Sequence, residues 1–199
     1  LECQSKWNKQ YDKDYRESIS EITVSTLPNL AHKYQDKMDH VVFPCHVLVK
    51  LDGVRCTVFL KDGEVFFQSR GGKAYPPIAE IANTLRDIIF DQYPHAVVDG
   101  ELYKHGMHLE DITSAVKKHN KDTREIKFYV FDIPTDTDKP YSDRVKDMDK
   151  LRWLCSDLKL MDSFVFEYPD LTHDNEERET LLQEVVDKGY EGLVHYLPD

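Results

Sequence analysis

One lysine stands where it could act as a nucleophile. Lys50 follows the apolar run 47–49, and Asp52, Gly53 and Arg55 come directly after it. A lysine at the end of a buried strand loses hydration, and the permanent positive charge of Arg55 acts in the same direction, so the neutral amine is favoured. A neutral amine beside an arginine is suited to attack on phosphorus. The alternative left open by these residues is a strand-end lysine beside an Asp-Gly turn.

The hydrophobic periodicity predicts the elements that would position this lysine. Strands are predicted at 41–49, 56–60, 64–68, 96–103, 126–133, 164–168 and from 192, with a hairpin turn at 61–63. Helices are predicted at 77–90, 109–119, 145–158 and 176–188, with Ser142 as an N-cap and Gly189 at a C-terminal cap. Strands mixed with segregated helices predict an α+β fold.

Composition narrows the class of protein. The 199 residues suffice for one well-buried domain, and the sequence shows neither an apolar run of membrane-spanning length nor a signal peptide. The cysteines Cys3, Cys45, Cys56 and Cys155 lack the CxxC spacing of zinc sites. An intracellular, reduced protein is therefore expected.

The negative charge is concentrated at one end of the chain. The net charge is -11, and residues 160–199 carry eleven acids against two bases, which leaves only -2 for residues 1–159. We interpret the acidic segment as one solvated face. Such a face does not exclude a basic groove elsewhere.

Four later motifs carry charged or aromatic side chains. They are Ser69-Arg70, Asp99-Gly100-Glu101, Phe131-Asp132 and Glu191-Gly192. The first three have structural alternatives when taken alone: an isolated structural arginine, a hairpin turn with a charged rim, and an aromatic ring of a core strand. Their order after Lys50 is what makes them informative.

Taken together, Lys50-x-Asp52-Gly53-x-Arg55 and the four motifs resemble the covalent nucleotidyltransferases. The resemblance extends over residues 26–196 and is strongest to the adenylation domain of ATP-dependent DNA ligases of the phage and viral type. It implies the ligase and capping-enzyme nucleotidyltransferase fold, an ATP-grasp-like arrangement of twisted antiparallel sheets flanked by helices. It also implies an enzyme, a polynucleotide ligase.

The resemblance implies a role for each residue of the first two motifs. Lys50 would attack the α-phosphate of ATP and carry AMP as a lysyl phosphoramidate. Asp52 would organise the lysine and the reacting strand ends. Arg55 and Arg70 would hold the ribose or the phosphates.

The remaining motifs would complete the nucleotide and metal sites. Glu101 would bind the ribose or support a metal, Phe131 would stack on adenine, and Glu191 would bind Mg²⁺ or Mn²⁺. Leu48 departs from the family, since many ligases carry a polar side chain there that faces the base edge. His195-Tyr196 also replaces an apolar-basic pair.

The resemblance further implies partners and an organisation of the chain. The partners are ATP and nicked double-stranded DNA, without a membrane, and the protein is expected to be an intracellular monomer serving DNA replication, repair and recombination. Residues 1–24 are interpreted as a peripheral arm and 25–199 as the adenylation domain, truncated before its last motif and without the following oligonucleotide-binding domain. The alternatives are an mRNA capping guanylyltransferase, an RNA ligase, or a non-catalytic module that binds nucleotides or DNA ends.

Overall fold

The computed structural model describes residues 34–135, 139–157 and 161–196. The predicted N-terminal arm, 1–24, lies outside the described residues. The strands found in the described part are β1 (Cys45–Lys50), β2 (Val54–Lys61), β3 (Glu64–Ser69), β4 (Ala74–Tyr75), β5 (Val97–Tyr103), β6 (Lys127–Asp132), β7 (Phe164–Phe166), β8 (Asp170–Thr172) and β9 (Gly192–Tyr196).

Helices connect these strands and pack against both sheets. The α-helices are α1 (Tyr34–Lys37), α2 (Ala79–Leu85), α3 (Leu109–Lys117), α4 (Tyr141–Asp157) and α5 (Asn175–Asp187). A π-helical turn, Arg86–Phe90, continues α2, and short 3-10 turns occupy Met38–His40, Lys121–Glu125 and Met161–Ser163.

Two sheets organise the fold. The larger has the order β4-β3-β2-β5-β6-β7 and the smaller the order β8-β1-β9. All pairs are antiparallel except β6 and β7, which are parallel because the chain returns through α4 before entering β7. The expected α+β fold with antiparallel sheets is therefore confirmed, and β6 with β7 is the one parallel pair among the described strands.

The two faces of the larger sheet have different chemistry. Alternation along β2 places Val54, Cys56 and Val58 in the main core, where they pack with residues of α2, α3 and β6. The intervening Arg55 and Thr57 lie on the opposite face, toward the charged residues of β5. The core face holds the sheet in place, and the polar face is left to form a site.

Most predicted elements are confirmed, with small differences at their ends. The predicted strand 41–49 begins only after Pro44, and the predicted helix 77–90 is divided into α2 and its π-helical turn. Ser142 is not the N-cap of α4, because the helix already begins at Tyr141. Gly189 follows α5 with φ of 84°, the left-handed conformation expected after a helix end. None of the described helices is long and apolar enough to cross a membrane.

Candidate active site

Lys50 and Glu191 meet at the end of the smaller sheet. Lys50 is the last residue of β1 and lies opposite Gly192 of β9, so Glu191 sits directly beyond the paired strands. The Glu191 amide donates to the Lys50 carbonyl at 3.2 Å. The Lys50 Nζ forms an ion pair with Glu191 Oε1, with side chains 43% and 45% exposed. The expected burial of Lys50 is therefore wrong, because its side chain is partly exposed and the amine lies against a carboxylate.

Arg55 is held rigidly on the larger sheet. Its Nε donates to Asp99 Oδ1 at 2.8 Å and its Nη2 to Asp99 Oδ2 at 2.6 Å, a bidentate pair between β2 and β5. Asp99 is only 2% exposed, and Thr57 also donates to it at 3.4 Å. Two of the five guanidinium donors are thus engaged, and the others remain for a ligand.

Glu101 lies between these two pairs. It is opposite Arg55 in the register of β2 and β5. Burial raises the pKa of Glu101 to about 8, against the opposing effect of Arg55, while Asp99 raises it further. Lys50 and Asp52 also act on this carboxyl. Glu101 is therefore within electrostatic range of both the lysine and the arginine, and it is mainly protonated at neutral pH.

Two glycines permit this close assembly. A Cβ on Gly53 would lie 2.7 Å from Glu101 Cγ and 2.7 Å from the Leu102 carbonyl oxygen. A Cβ on Gly100 would lie 2.3 Å from the Tyr129 carbonyl oxygen, at the irregularity in the pairing of β5 with β6. Both motifs need glycine because the neighbouring strand occupies the space of a side chain.

Phe131 lies on the same polar face but is buried. It is 9% exposed and packs in a cluster with Leu48 and Tyr141, against which Tyr196 also packs. The Arg55 guanidinium covers its ring, with Cζ 4.3 Å from the ring centroid. A purine could stack on that face only if the guanidinium moved aside, whereas the ring already borders the strand that carries Lys50.

Several residues of the site were not assigned roles from the sequence. Asp132 accepts from Arg144 Nε at 2.8 Å and Nη2 at 3.1 Å, linking the end of β6 to α4. The Tyr196 ring stacks on that of Tyr141 with centroids 4.1 Å apart. Asp99 and Asp132 could have been identified from the sequence as charged residues at the ends of apolar strands. A buried carboxylate in such a place needs a partner.

Two predicted site residues lie at the edge of this assembly. Asp52 is exposed, although its charge reaches Glu101. Arg70 is exposed in the turn after β3, which is closed by Ser69 and Lys73 through two hydrogen bonds of 2.6 and 2.8 Å. The structure thus brings Lys50 and Glu191 into direct contact and places Arg55, Glu101 and Phe131 side by side, while Arg70 remains on a neighbouring turn.

The donors present suit a metal shared with a phosphate better than a protein-enclosed metal. Within the described residues, no group of three or more His, Cys, Asp or Glu side chains could hold a metal ion. Glu191 is exposed in the cleft, whereas the raised pKa of Glu101 disfavours its charged form. Mg²⁺ commonly takes one or two carboxylates and completes its shell with water and substrate phosphates, which fits this donor set.

The fold is shared with solved ligases. Chlorella virus DNA ligase-adenylate superposes with a TM-score of 0.68 and 27% identity, over 88% of this chain and 61% of that one. A Lig E DNA ligase gives 0.67 and 22%, over 88% and 63%. The bacteriophage T7 ligase complex with ATP gives 0.55 and 16%, over 88% and 61%. The two ligases below 25% identity support the fold alone.

A match to a protein-family model agrees with this likeness, although the solved ligases are longer than this chain. The chain spans about two fifths to three fifths of the length of the solved ligases it resembles. No curated protein matches it. The findings give the capping-enzyme and RNA-ligase interpretations no better support. Residues 27–198 match the family described as "ATP dependent DNA ligase domain", and the chain therefore belongs to the ATP-dependent DNA ligase domain family.

Proposed function

We propose that this domain takes AMP from ATP onto Lys50 and passes it to the 5′-phosphate of nicked DNA, so that the strand can be sealed. The observation that carries the proposal is the placement of the Lys50 amine against Glu191, within electrostatic range of Glu101. The proposed nucleophile, a carboxylate suited to a metal and an arginine held by Asp99 would then serve one nucleotide site. Membership of the ligase family supports the same activity.

The first step forms one bond and breaks another. The Lys50 Nζ lone pair attacks the α-phosphorus of ATP, and the bond from that phosphorus to the bridging oxygen breaks, releasing pyrophosphate. The amine would first lose its proton to water, which would release Glu191, the carboxylate that contacts it, from the ion pair. In the second step, an oxygen of the DNA 5′-phosphate attacks the same phosphorus and the N–P bond breaks. A 3′-hydroxyl then displaces AMP.

The side chains around the lysine would each bind a different part of ATP. Glu191 would hold Mg²⁺ or Mn²⁺ together with phosphate oxygens, and the metal would stabilise charge on the departing pyrophosphate. Glu101, largely protonated, can donate to as well as accept from a ribose hydroxyl. Phe131 would stack on adenine once Arg55 shifts from its ring.

The arginines would serve phosphates of the nucleotide and of the nick. Arg55 keeps free donors while Asp99 holds it, so these donors could bind a phosphate while the Asp99 pair is kept and the guanidinium leaves the Phe131 ring. Arg70 lies on the exposed turn after β3, where it could reach a DNA phosphate outside the cleft. Asp52, also exposed, would order the reacting ends. Nicked duplex DNA is thus the proposed polynucleotide substrate.

The wider role remains part of the proposal. We infer an intracellular monomer acting in DNA replication, repair or recombination. We also propose that the chain consists of an arm at 1–24 and an adenylation domain at 25–199.

Mass spectrometry of the protein after incubation with ATP and Mg²⁺ tests the proposal. An AMP adduct is expected on Lys50 and should be absent from Lys50→Ala. The matched control is Lys61→Ala, which removes another strand-end lysine and should keep the adduct. An adduct that survives Lys50→Ala would refute the assignment.

Two substrate comparisons test the alternatives. Labelled ATP should form the adduct in preference to labelled GTP, whereas a capping enzyme would prefer GTP. The adenylated protein should pass AMP to nicked DNA rather than to broken RNA. A protein that keeps the adduct but transfers it to neither would be a nucleotide-binding module instead.

A further inference from the structure

His46 carries a buried polar atom that the fold leaves without a partner. Its Nδ1 is buried, and no group in the described part of the chain hydrogen-bonds to it. A buried nitrogen without a partner costs free energy, and native folds rarely leave one unexplained. The atom therefore needs either a structural or a functional reason.

The position of His46 points to the nucleotide cleft. Side chains alternate along a strand, so His46, Leu48 and Lys50 lie on one face of β1. At about 3.3 Å per residue, His46 lies about 13 Å along the strand from Lys50, comparable to the length of a nucleoside monophosphate. With the phosphate on Lys50, the far edge of the base would thus approach His46.

The surroundings of His46 agree with this placement. Its ring meets that of Tyr141 edge-on, with centroids 6.2 Å apart and an interplanar angle of 68°. Tyr141 and Leu48 belong to the same buried cluster as Phe131, the proposed stacking ring. The His46 ring therefore lies beside the cluster that contains the proposed stacking ring.

Leu48 cannot hydrogen-bond to the edge of the base, so another residue would have to do so. A leucine offers no hydrogen bond to the base edge, and Leu48 is 4% exposed within its cluster. Adenine presents an amino group at its 6-position, a donor, where guanine presents an oxygen, an acceptor. A neutral imidazole protonated on Nε2 has an acceptor at Nδ1, which matches adenine and opposes guanine.

We propose that His46 Nδ1 accepts a hydrogen bond from the 6-amino group of adenine and so determines base specificity. The inference rests on the proposed adenylation of Lys50. His46 would be a binding residue for the base, with no part in the bonds that form and break at phosphorus.

A nucleotide that lacks the 6-amino group tests this directly. Rates of adduct formation on Lys50 are compared for ATP and purine riboside triphosphate, both at concentrations below KM. The wild-type protein should prefer ATP by about fivefold to tenfold, as expected for one neutral hydrogen bond. His46→Leu should reduce that preference below about twofold on the same argument, with the loss falling mainly on ATP. His46→Gln, which restores an acceptor, should recover part of it.

His195 supplies a matched control on the other face of the sheet. It also has a buried unpartnered nitrogen, Nε2, but its ring stacks on Tyr34 with centroids 5.0 Å apart. His195→Leu should therefore retain the wild-type preference for ATP. A similar shift in His195→Leu would show that the change reports general disturbance of the sheet and would overturn the inference.

The outcomes separate this inference from the proposed function. If the wild-type protein forms no adduct on Lys50 with either nucleotide, the proposed function fails and the inference falls with it. If the adduct forms but His46→Leu keeps the wild-type preference, only the inference fails. Equal losses for both nucleotides would make His46 a structural residue, which also overturns it.

Discussion

Glu101→Gln should remove a pH dependence of stability that the fold imposes. The pKa of Glu101 is raised from 4.5 to about 8, with burial as the main cause. Between these values the unfolded chain has lost the proton and the folded protein still holds it. The unfolded state therefore binds fewer protons, and the free energy of unfolding falls as pH rises through this window.

The size of the effect follows from the difference between the two pKa values. At about 1.4 kcal/mol per pH unit, that difference corresponds to a change of about 5 kcal/mol in the free energy of unfolding. This is an upper value, because solvent near Glu101 screens part of the effect. Over pH 5.5 to 8.0, the same slope gives a loss of about 3 kcal/mol. Glutamine keeps the shape of the side chain and cannot ionise, so the variant should lack this component.

Urea denaturation at several pH values between 5.5 and 8.0 measures this difference. Glu101→Gln should already be more stable than wild type by about 1 kcal/mol at pH 5.5, and this difference should grow by about 3 kcal/mol toward pH 8. Asp132 and Glu167, whose pKa values are also raised by burial, contribute equally to both proteins and cancel. Glu64→Gln, at an exposed acid, is the control and should follow wild type. Parallel profiles for wild type and Glu101→Gln would refute the argument from burial.

Three further substitutions probe the frame of the cleft. Gly100→Ala should destabilise the protein by about 3 kcal/mol in urea denaturation, because its Cβ would meet a β6 carbonyl at 2.3 Å. The control is Gly71→Ala, in open space, which should be nearly neutral. Arg144→Met should cost about 2 kcal/mol at pH 8, since it leaves the buried Asp132 carboxylate without this pair. The cost should shrink at lower pH, because burial raises the pKa of Asp132 and protonation relieves the charge. Phe131→Leu should raise the KM for ATP about tenfold in the adduct assay, as expected for one base-stacking contact, and an unchanged KM would remove Phe131 from the base site.

The parts of the fold that the sequence predicts are those determined by short, local residue patterns. The hairpin around Gly63 follows from an Asp-Gly turn between apolar runs, and the helix ended by Gly189 follows from its spacing and cap. The two-residue strand β4 and the three-residue strand β8 were not predicted, because they are too short to show an alternating pattern. Their pairing depends on strands that are distant in sequence.

The candidate site was predicted as a set of residues but not as a set of contacts. Lys50 and Glu191 were each assigned from a motif, yet their ion pair depends on the register of β1 with β9. The pairing of Arg55 with Asp99 likewise depends on the register of β2 with β5. Strand register between distant segments is set by tertiary packing, which a single sequence does not reveal. The same limit explains why Lys50 was expected to be buried and is partly exposed.

The contacts of Arg55 show what the fold contributes to the chemistry beyond its list of residues. A free arginine loses much rotamer entropy when it grips a phosphate, and that loss weakens binding. In this protein Asp99, itself buried, holds the guanidinium through two hydrogen bonds, although the guanidinium would have to leave the Phe131 ring before adenine could stack there. Under the proposed function, part of the ordering cost would therefore be met on folding, before a phosphate binds. Lys50 differs, since its partner Glu191 is exposed and, under the proposed function, would exchange the amine for a metal ion without leaving a buried charge unpaired.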